Sequence, residues 1–325
     1  MSEPFGHPAL FYRDDDTYLA GTIPFIADGL AAGEPVAVAV PRRRLDLLTS
    51  ALGDRAEKTS LIDMAEAGRN PGRIIPRVLR AFADAHPGAR VRIIGEPVWP
   101  GRSQAEYPAC VQHEALINHA FTGRPITILC PYDTARLDER VLADAHATHP
   151  VIIEDAIERP STAYDPDRTA AACNQPLPRP PQGASAFAFD GRALPEVRTF
   201  AWRRAAALGL PTARLDDLAL AVAELTTNSV LHGGGTGTLR IWAEGDQVVC
   251  EVRDRGHLTD PLAGRHLPPP GRPGGRGLLL VNCLSDLVRT HTGVSGTTIR
   301  FYLDRAVRVS GRPEGDSVPL PQASG

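Results

Sequence analysis

Lysine is almost missing from this chain. Of its 35 basic residues, Lys58 is the one lysine and the rest are arginine. No glycine-rich loop leads into Lys-Ser or Lys-Thr, so a phosphate-binding loop of the Walker type is excluded on residue grounds. Ala, Gly and Pro are abundant, and the arginine excess reads as GC-rich codon usage rather than a functional cluster. Paired cysteines are missing as well. Cys110, Cys130, Cys173, Cys250 and Cys283 are scattered without a Cys-x-x-Cys, which argues against a zinc knuckle or a disulfide framework. No apolar run approaches the roughly 20 residues that span a bilayer. The start, MSEPFGHPALFYRDDD, has no charged segment leading into an apolar run, so no signal peptide is expected. A cytoplasmic protein with reduced thiols and no membrane contact is the expectation. The formal net charge of −3 gives no global reason to expect direct nucleic-acid binding.

What is present is enough for two domains. The 325 residues are 42% hydrophobic and 22% charged, the profile of a globular protein. Residues 5–158 alternate apolar strands, PVAVAV, RVRIIGEP and PITILCPYD, with helical patterns, IIPRVLRAFADAH and CVQHEALINHAF. Near-continuous apolar strands between helices predict an α/β domain, its sheet largely parallel and covered on both faces. Residues 159–185 are dense in proline and lack periodicity, which reads as a partly extended linker. Residues 186–308 then carry a strand (AFAFD), two helices, a hairpin centred on Glu244-Gly245-Asp246, a helix over GLLLVNCLSDLVRTH and a last strand, GTTIRFYLD. That order predicts an α+β two-layer sandwich. Residues 309–325 read as a disordered tail.

The second domain holds three suggestive pieces. In AVAELTTNSVLHGGG, Glu224 and Asn228 lie four residues apart on one helix face, with His232 four further on. An exposed polar face accounts for that pair. So does a Mg2+ site, because an amide oxygen suits a hard cation and a neighbouring carboxylate can accept a proton. Asp254-Arg255-Gly256 ends a hairpin strand. It is either a common turn or a carboxylate placed to accept a hydrogen bond from an exocyclic amine. Gly274-Gly275-Arg276-Gly277 opens a helix. It is either a loop or an anion site made of unpaired N–H groups.

In that order, the three pieces give residues 187–304 a resemblance to the GHKL, or Bergerat-type, ATPase superfamily. Glu224 and Asn228 match its N box, Asp254 and Gly256 its first glycine box, and Gly275 and Gly277 its second. Gly-Thr-Thr at 296–298 matches its closing strand, and residues 257–273 fall where the family has its ATP lid. The stretch ELTTNSVLHG is similar to that of bacterial anti-sigma-factor serine/threonine kinases. The resemblance implies ATP and Mg2+ as cofactors, Glu224 as general base, Asn228 as Mg2+ ligand and Thr298 near the nucleotide. Arg276 or Arg272 would supply positive charge. It implies as partner a sigma factor, an anti-anti-sigma (STAS-type) protein, or both, and it allows a homodimer.

Residues 5–155 resemble the MEDS sensory domain, named for methanogens, methylotrophs and the DcmR sensor. The matching pieces are GHPALFYRDDD, FIADGLAAGEPVAVAV, RIIGEPVW, the helix around HEALINHAF, and ILCPYD. The resemblance implies a small-molecule signal, with His7 and Cys130 at positions of interest. Cys130 reads as the end of an apolar strand, where open α/β sheets place ligands, or as a small core residue. Glu96, in IIGEP, is a surface cap or a ligand contact. Three functions stay open: a sensory domain controlling an anti-sigma-type kinase, a non-catalytic ATP-dependent binding module, and a histidine-kinase-like sensor. The last lacks a phosphoacceptor helix pair, since a proline-rich segment occupies that place.

Overall fold

The computed structural model describes residues 5–266 and 275–306. The expected tail at 309–325, Arg272 and much of the expected lid lie outside the described residues. The first domain is built on β1 (Phe5–Gly6), β2 (Pro8–Tyr12), β3 (Val36–Val40), β4 (Ser60–Asp63), β5 (Val91–Gly95), β6 (Ile126–Asp133), β7 (Val151–Glu154) and β8 (Ile157–Pro160). Their order is β4-β3-β5-β6-β2-β7-β8, with β1 beside β6. Every pairing is parallel except β7 with β8.

Successive side chains of a strand point to opposite faces, and here both faces are apolar. Ala9, Phe11, Ala37, Ala39, Ile93 and Ile128 share one buried cluster. Leu10, Tyr12, Val36, Val38, Val40 and Ile94 share another. The helices α1 (Asp15–Ala31) and α2 (Arg42–Leu52) cover the second cluster, while α3 (Met64–Ala67), α4 (Arg80–Asp84) and α5 (Tyr107–Ala120) lie toward the first. The run PVAVAV is therefore continuous because neither face meets water. α1 begins with a capping box at Asp14, followed by Asp15 and Asp16. Three carboxylates at a helix start favour the helix dipole but repel phosphate, in keeping with the missing Walker loop.

The segment expected to be a linker is structured. After α6 (Glu139–Thr148), β8 reaches Pro160 and α7 (Pro166–Ala172) packs on α5 and α6. Asp165 caps α7, with Pro166 at its first position, a start that suits proline because the first N–H has no helical partner. Downstream, Asn174 exchanges two hydrogen bonds with Thr292, at 2.8 and 3.0 Å, and the Pro178 carbonyl accepts from Arg300 at 2.6 Å. Residues 174–178 thus lie against the second domain's sheet rather than spanning free space.

The second domain pairs β9 (Ser185–Asp190), β10 (Thr236–Glu244), β11 (Gln247–Asp254), β12 (Leu287–Gly293) and β13 (Gly296–Asp304) in the antiparallel order β12-β13-β11-β10-β9. One face carries α8 (Leu194–Ala207), α9 (Thr212–His232) and α10 (Gly277–Leu284). The two-layer sandwich is as expected, with one correction. The helix expected over GLLLVNCLSDLVRTH stops at Leu284, and its second half is strand β12. The cause is local: Ser285 is extended, and LVRTHTG is rich in β-branched residues that suit a pleated surface.

The two domains are locked by polar contacts around α10. Asn70 donates to the Asn282 carbonyl at 2.8 Å. Arg69 pairs with Asp286 at 3.2 Å and also with Asp304, and Arg73 donates to the Cys283 carbonyl at 3.3 Å. Gly72 packs so closely that a Cβ there would lie 2.1 Å from Asn282 Oδ1.

Candidate functional site

α9 buries Leu215, Leu218, Ala221, Val222, Leu225 and Ser229, the i, i+3, i+4 stripe of an amphipathic helix. Glu224 and Asn228 border that stripe and are half-buried. The first residue of α10 is set against them. A Cβ on Gly277 would come 2.5 Å from Glu224 Oε2 and 3.2 Å from Asn228 Nδ2, so any larger residue here would have to turn those side-chain ends aside. Arg276 is the N-cap of α10 and provides no side-chain cap, which leaves the first helical N–H groups without intrahelical acceptors. Gly275 adopts a left-handed φ of 79°, natural for glycine; Gly275 and Arg276 are both exposed.

Further along α9 a second group gathers. Ser229 Oγ donates to Asp254 Oδ2 at 2.6 Å, and the Gly256 N–H donates to Asp254 Oδ1 at 2.8 Å. A Cβ on Gly256 would lie 2.7 Å from the His232 carbonyl, and one on Gly233 would lie 2.5 Å from Asp254 Cγ. Each Asp254 oxygen retains acceptor capacity beyond these bonds. Glu224 to Gly233 spans nine helical steps, about 14 Å at 1.5 Å per residue. The row has carboxylate and amide at one end, next to uncapped N–H donors, and an acceptor carboxylate with glycine backbone at the other. Those residues suit a nucleoside triphosphate with its metal: donors for the phosphates, an amide oxygen for the cation, and an acceptor for a ring amine.

Thr298 is not part of this row. It pairs with Arg253 across β11 and β13, whereas Asp254 pairs with Thr297. The two-residue period therefore puts Thr298 on the far face and Thr297 on the Asp254 face. Thr297 Oγ1 donates to the Gly256 carbonyl at 2.8 Å, so Thr297 is the threonine beside Asp254 and Gly256. His232 ends α9 exposed. A separate cavity of about 680 Å³, lined by Arg240, Arg253 and Arg255 among others, shares Asp254 but neither Glu224 nor Asn228.

Residues 187–303 match the family model of the histidine kinase-like ATPase domain, and residues 6–150 match that of MEDS, the methanogen/methylotroph, DcmR sensory domain. The chain joins a MEDS domain to a histidine kinase-like ATPase domain. A search of curated proteins finds no match. Among solved structures it is similar to the RsbU and RsbW domains of Rv1364c from Mycobacterium tuberculosis. That likeness has 23% identity over 38% of this chain and 33% of that one, with a TM-score of 0.29. The match thus spans about a third of the solved chain. No helix among the described residues is long and apolar enough to cross a membrane.

Within the MEDS domain, His7 and Cys130 meet and Glu96 stands apart. Cys130 does not end its strand: β6 continues to Asp133, and Cys130 pairs with Ala9. Its Sγ lies 3.5 Å from His7 Nε2 and 3.5 Å from Glu114 Oε2. Glu114 Oε2 is also 3.2 Å from His7 Nε2 and 3.4 Å from His149 Nε2. All four residues are buried. Glu114 and His149 are not marked by any motif in the sequence; the one local signal is a carboxylate in the apolar helix HEALINHAF. Burial pushes the His7 ring down to about 4, with the nearby His149 adding to it, and pushes the Cys130 thiol well up. Burial also opposes ionisation of Glu114, although hydrogen bonds from His149 and His7 would hold its carboxyl below the usual range. Those bonds need a proton on each Nε2. Both rings instead direct Nδ1 at an acceptor, Asn118 Oδ1 at 3.2 Å and the Ala145 carbonyl at 2.9 Å, so neutral rings have no Nε2 proton to give.

Glu96 follows β5 at the C-terminal edge of the parallel strands, where α/β sheets open their crevices. It accepts from Tyr12 Oη at 3.1 Å, and Arg44 donates to the same Tyr12 oxygen at 3.2 Å. Arg44 also pairs with Asp15 at 2.5 Å and lies 3.6 Å from Asp133. A cavity of about 480 Å³ beside them is lined by Asp15, Arg43, Arg44 and Asp133 among others. Glu96 Oε2 has no hydrogen-bond partner. Burial pushes its carboxyl up to about 8 against the pull of Arg44 and Tyr12.

Two predictions follow from these geometries. Asn228→Ala should abolish the Mg2+-dependent part of ATP binding measured by calorimetry. Gly277→Ala must turn the flexible end of Glu224 aside and should weaken binding about tenfold. Unaltered affinity in both variants would remove the row as the nucleotide site. For Glu96, the native state holds a proton through the interval from the ordinary carboxyl range up to about 8. The unfolded chain has lost that proton, so wild-type stability falls as pH rises through this interval. Glu96→Gln should therefore gain melting temperature relative to wild type between about pH 5 and pH 8. A pH-independent difference would show that Glu96 is ionised throughout.

Proposed function

We propose that this chain is a signalling regulator in which the MEDS domain controls an anti-sigma-type serine/threonine kinase. The convergence of Glu224 and Asn228 on the uncapped, glycine-started end of α10 carries the reading. On it, Asn228 would hold Mg2+, the N–H groups from Gly277 onward would meet phosphate oxygens, and Asp254 would accept a hydrogen bond from the adenine amine. Bound ATP supplies the phosphoryl group. Glu224, beside Asn228, accepts the proton of a partner's serine or threonine hydroxyl as that oxygen attacks. A carboxylate next to an anion is unfavourable without a cation between them, which is a further reason to assign Mg2+ to Asn228. The partner would be a STAS-type anti-anti-sigma protein, and a sigma factor would be held by the same domain.

Control by the MEDS domain is supported by what it touches. Arg265, at the base of the expected lid, is buried and donates to Gln112 Oε1 on α5 at 2.9 Å. Leu262 packs on the MEDS core, and Asn282 of α10 donates to the Gly264 carbonyl at 3.1 Å. A signal that shifts α5 or residues 69–73 therefore bears directly on α10 and the lid base.

The experiment is transfer of the γ-phosphate from labelled ATP to STAS-type proteins of the source organism, read as acid-stable label on serine or threonine. Glu224→Gln should lower the rate by about 100-fold or more with ATP affinity kept. Equal transfer by wild type and Glu224→Gln would contradict the assigned base. Partner binding by both without any transfer would instead favour a non-catalytic module.

A further inference from the structure

We propose that His7, Glu114, Cys130 and His149 form a closed four-ligand site for a zinc-type divalent transition ion in the interior of the MEDS domain. Four of the six separations between the ligand atoms are close to the edges of a coordination tetrahedron. Zinc bonds of about 2.0–2.1 Å to nitrogen and oxygen and about 2.3 Å to sulfur make tetrahedron edges of roughly 3.3–3.6 Å. The observed separations are 3.2 Å for His7 to Glu114, 3.4 Å for His149 to Glu114 and 3.5 Å from Cys130 to each of His7 and Glu114. All four ligand atoms lie within 4.8 Å of one another.

The tautomers point the same way. Asn118 donates its amide N–H groups to the carbonyls of Glu114, Ala115 and Thr148, which fixes its Oδ1 as an acceptor. His7 Nδ1–H therefore donates to Asn118 Oδ1. His149 Nδ1–H donates to the Ala145 carbonyl, since the Thr148 hydroxyl donates to the carbonyls of Asp144 and Ala145. Both Nε2 lone pairs then face one carboxylate oxygen with no proton between them, and His149 Nε2 makes no hydrogen bond. Three lone pairs converging in a buried space are repulsive unless a cation or a shared proton lies among them, and one proton can bridge Glu114 to only one of the two rings. Metal-bound histidines donate their second ring N–H to a fixed acceptor in this way.

The donor set of two imidazoles, one carboxylate and one thiolate selects a borderline-soft ion over Mg2+ or Ca2+. Binding releases the Cys130 proton to solvent, and a thiolate with a carboxylate then neutralises the dication. The ligands come from four places in the chain: the residue before β2, α5, β6 and the residue two before β7. The ion would tie α5 to the sheet. α5 also carries Gln112, the acceptor for Arg265, so occupancy would reach the lid base through one helix.

The test uses the full chain, stripped with a chelator and titrated with Co2+. We expect about one equivalent bound, with the visible bands of tetrahedral cobalt and a thiolate-to-metal charge-transfer band. Cys130→Ser should lower that band at least about tenfold, while the Cys173→Ser/Cys283→Ser double variant should keep it. Zn2+ should raise the melting temperature of the stripped wild type, a readout that requires no variant. A folded wild type that gives neither the spectrum nor the stabilisation overturns the site. So does a charge-transfer band that survives Cys130→Ser.

Discussion

The hydrogen bond from Asn70 to the Asn282 carbonyl is the contact on which the arrangement of both domains depends. It is buried, and it joins the MEDS turn at residues 70–73 to the helix whose first residue is Gly277. A Cβ on Gly72 would press on the Asn282 side chain, whose Nδ2 donates to the Gly264 carbonyl. Buried polar groups without partners are costly, so while the domains are packed together this bond adds the MEDS turn to the second-domain core contacts of Leu278 and Val281 that hold α10. The same position sets Gly277 against Glu224 and Asn228. One polar contact between domains thereby reaches the helix whose first residue meets Glu224 and Asn228.

Around that contact the chain uses its arginines as fasteners. Arg69, Arg73, Arg265 and Arg289 all cross between domains, to Asp286 and Asp304, the Cys283 carbonyl, Gln112 and the Ala105 carbonyl. A planar guanidinium with five donors suits such bridging better than an ammonium does. Burial lowers Arg265 to about 10 and leaves it charged at neutral pH. The arginine excess that composition explains as codon usage therefore has structural employment at this interface.

Much of this was legible in the sequence, for identifiable reasons. PVAVAV read as a strand covered on both faces because burial on both sides erases alternation. Glu224, Asn228, Asp254, Gly256 and Gly277 stand out in the sequence because a helix repeat and glycine punctuation leave local marks, and the fold brings them into one row. Thr298 lies on the face away from the helices and Thr297 on the Asp254 face: a motif locates a triplet, but only strand register decides which threonine faces the helices. β12 was read as helix because its apolar residues continue those of α10, and the break at Ser285 leaves no proline or glycine to announce it. Glu114 and His149 were not legible. Their partners come from distant elements, and a search for paired cysteines cannot find a cluster that uses one. The segment at 159–185 misled because proline density reads as linker, whereas Pro166 starts a helix and Pro178 supplies an acceptor.

On the proposed function, the MEDS domain holds the start of α10 where nucleotide binding requires it. The most direct test is ATP–Mg2+ affinity of the full chain compared with Asn70→Ala, by calorimetry, with both proteins shown to melt cooperatively. The account predicts a change of about fivefold or more, the scale of a working coupling between sites. Affinities equal within about twofold would contradict it.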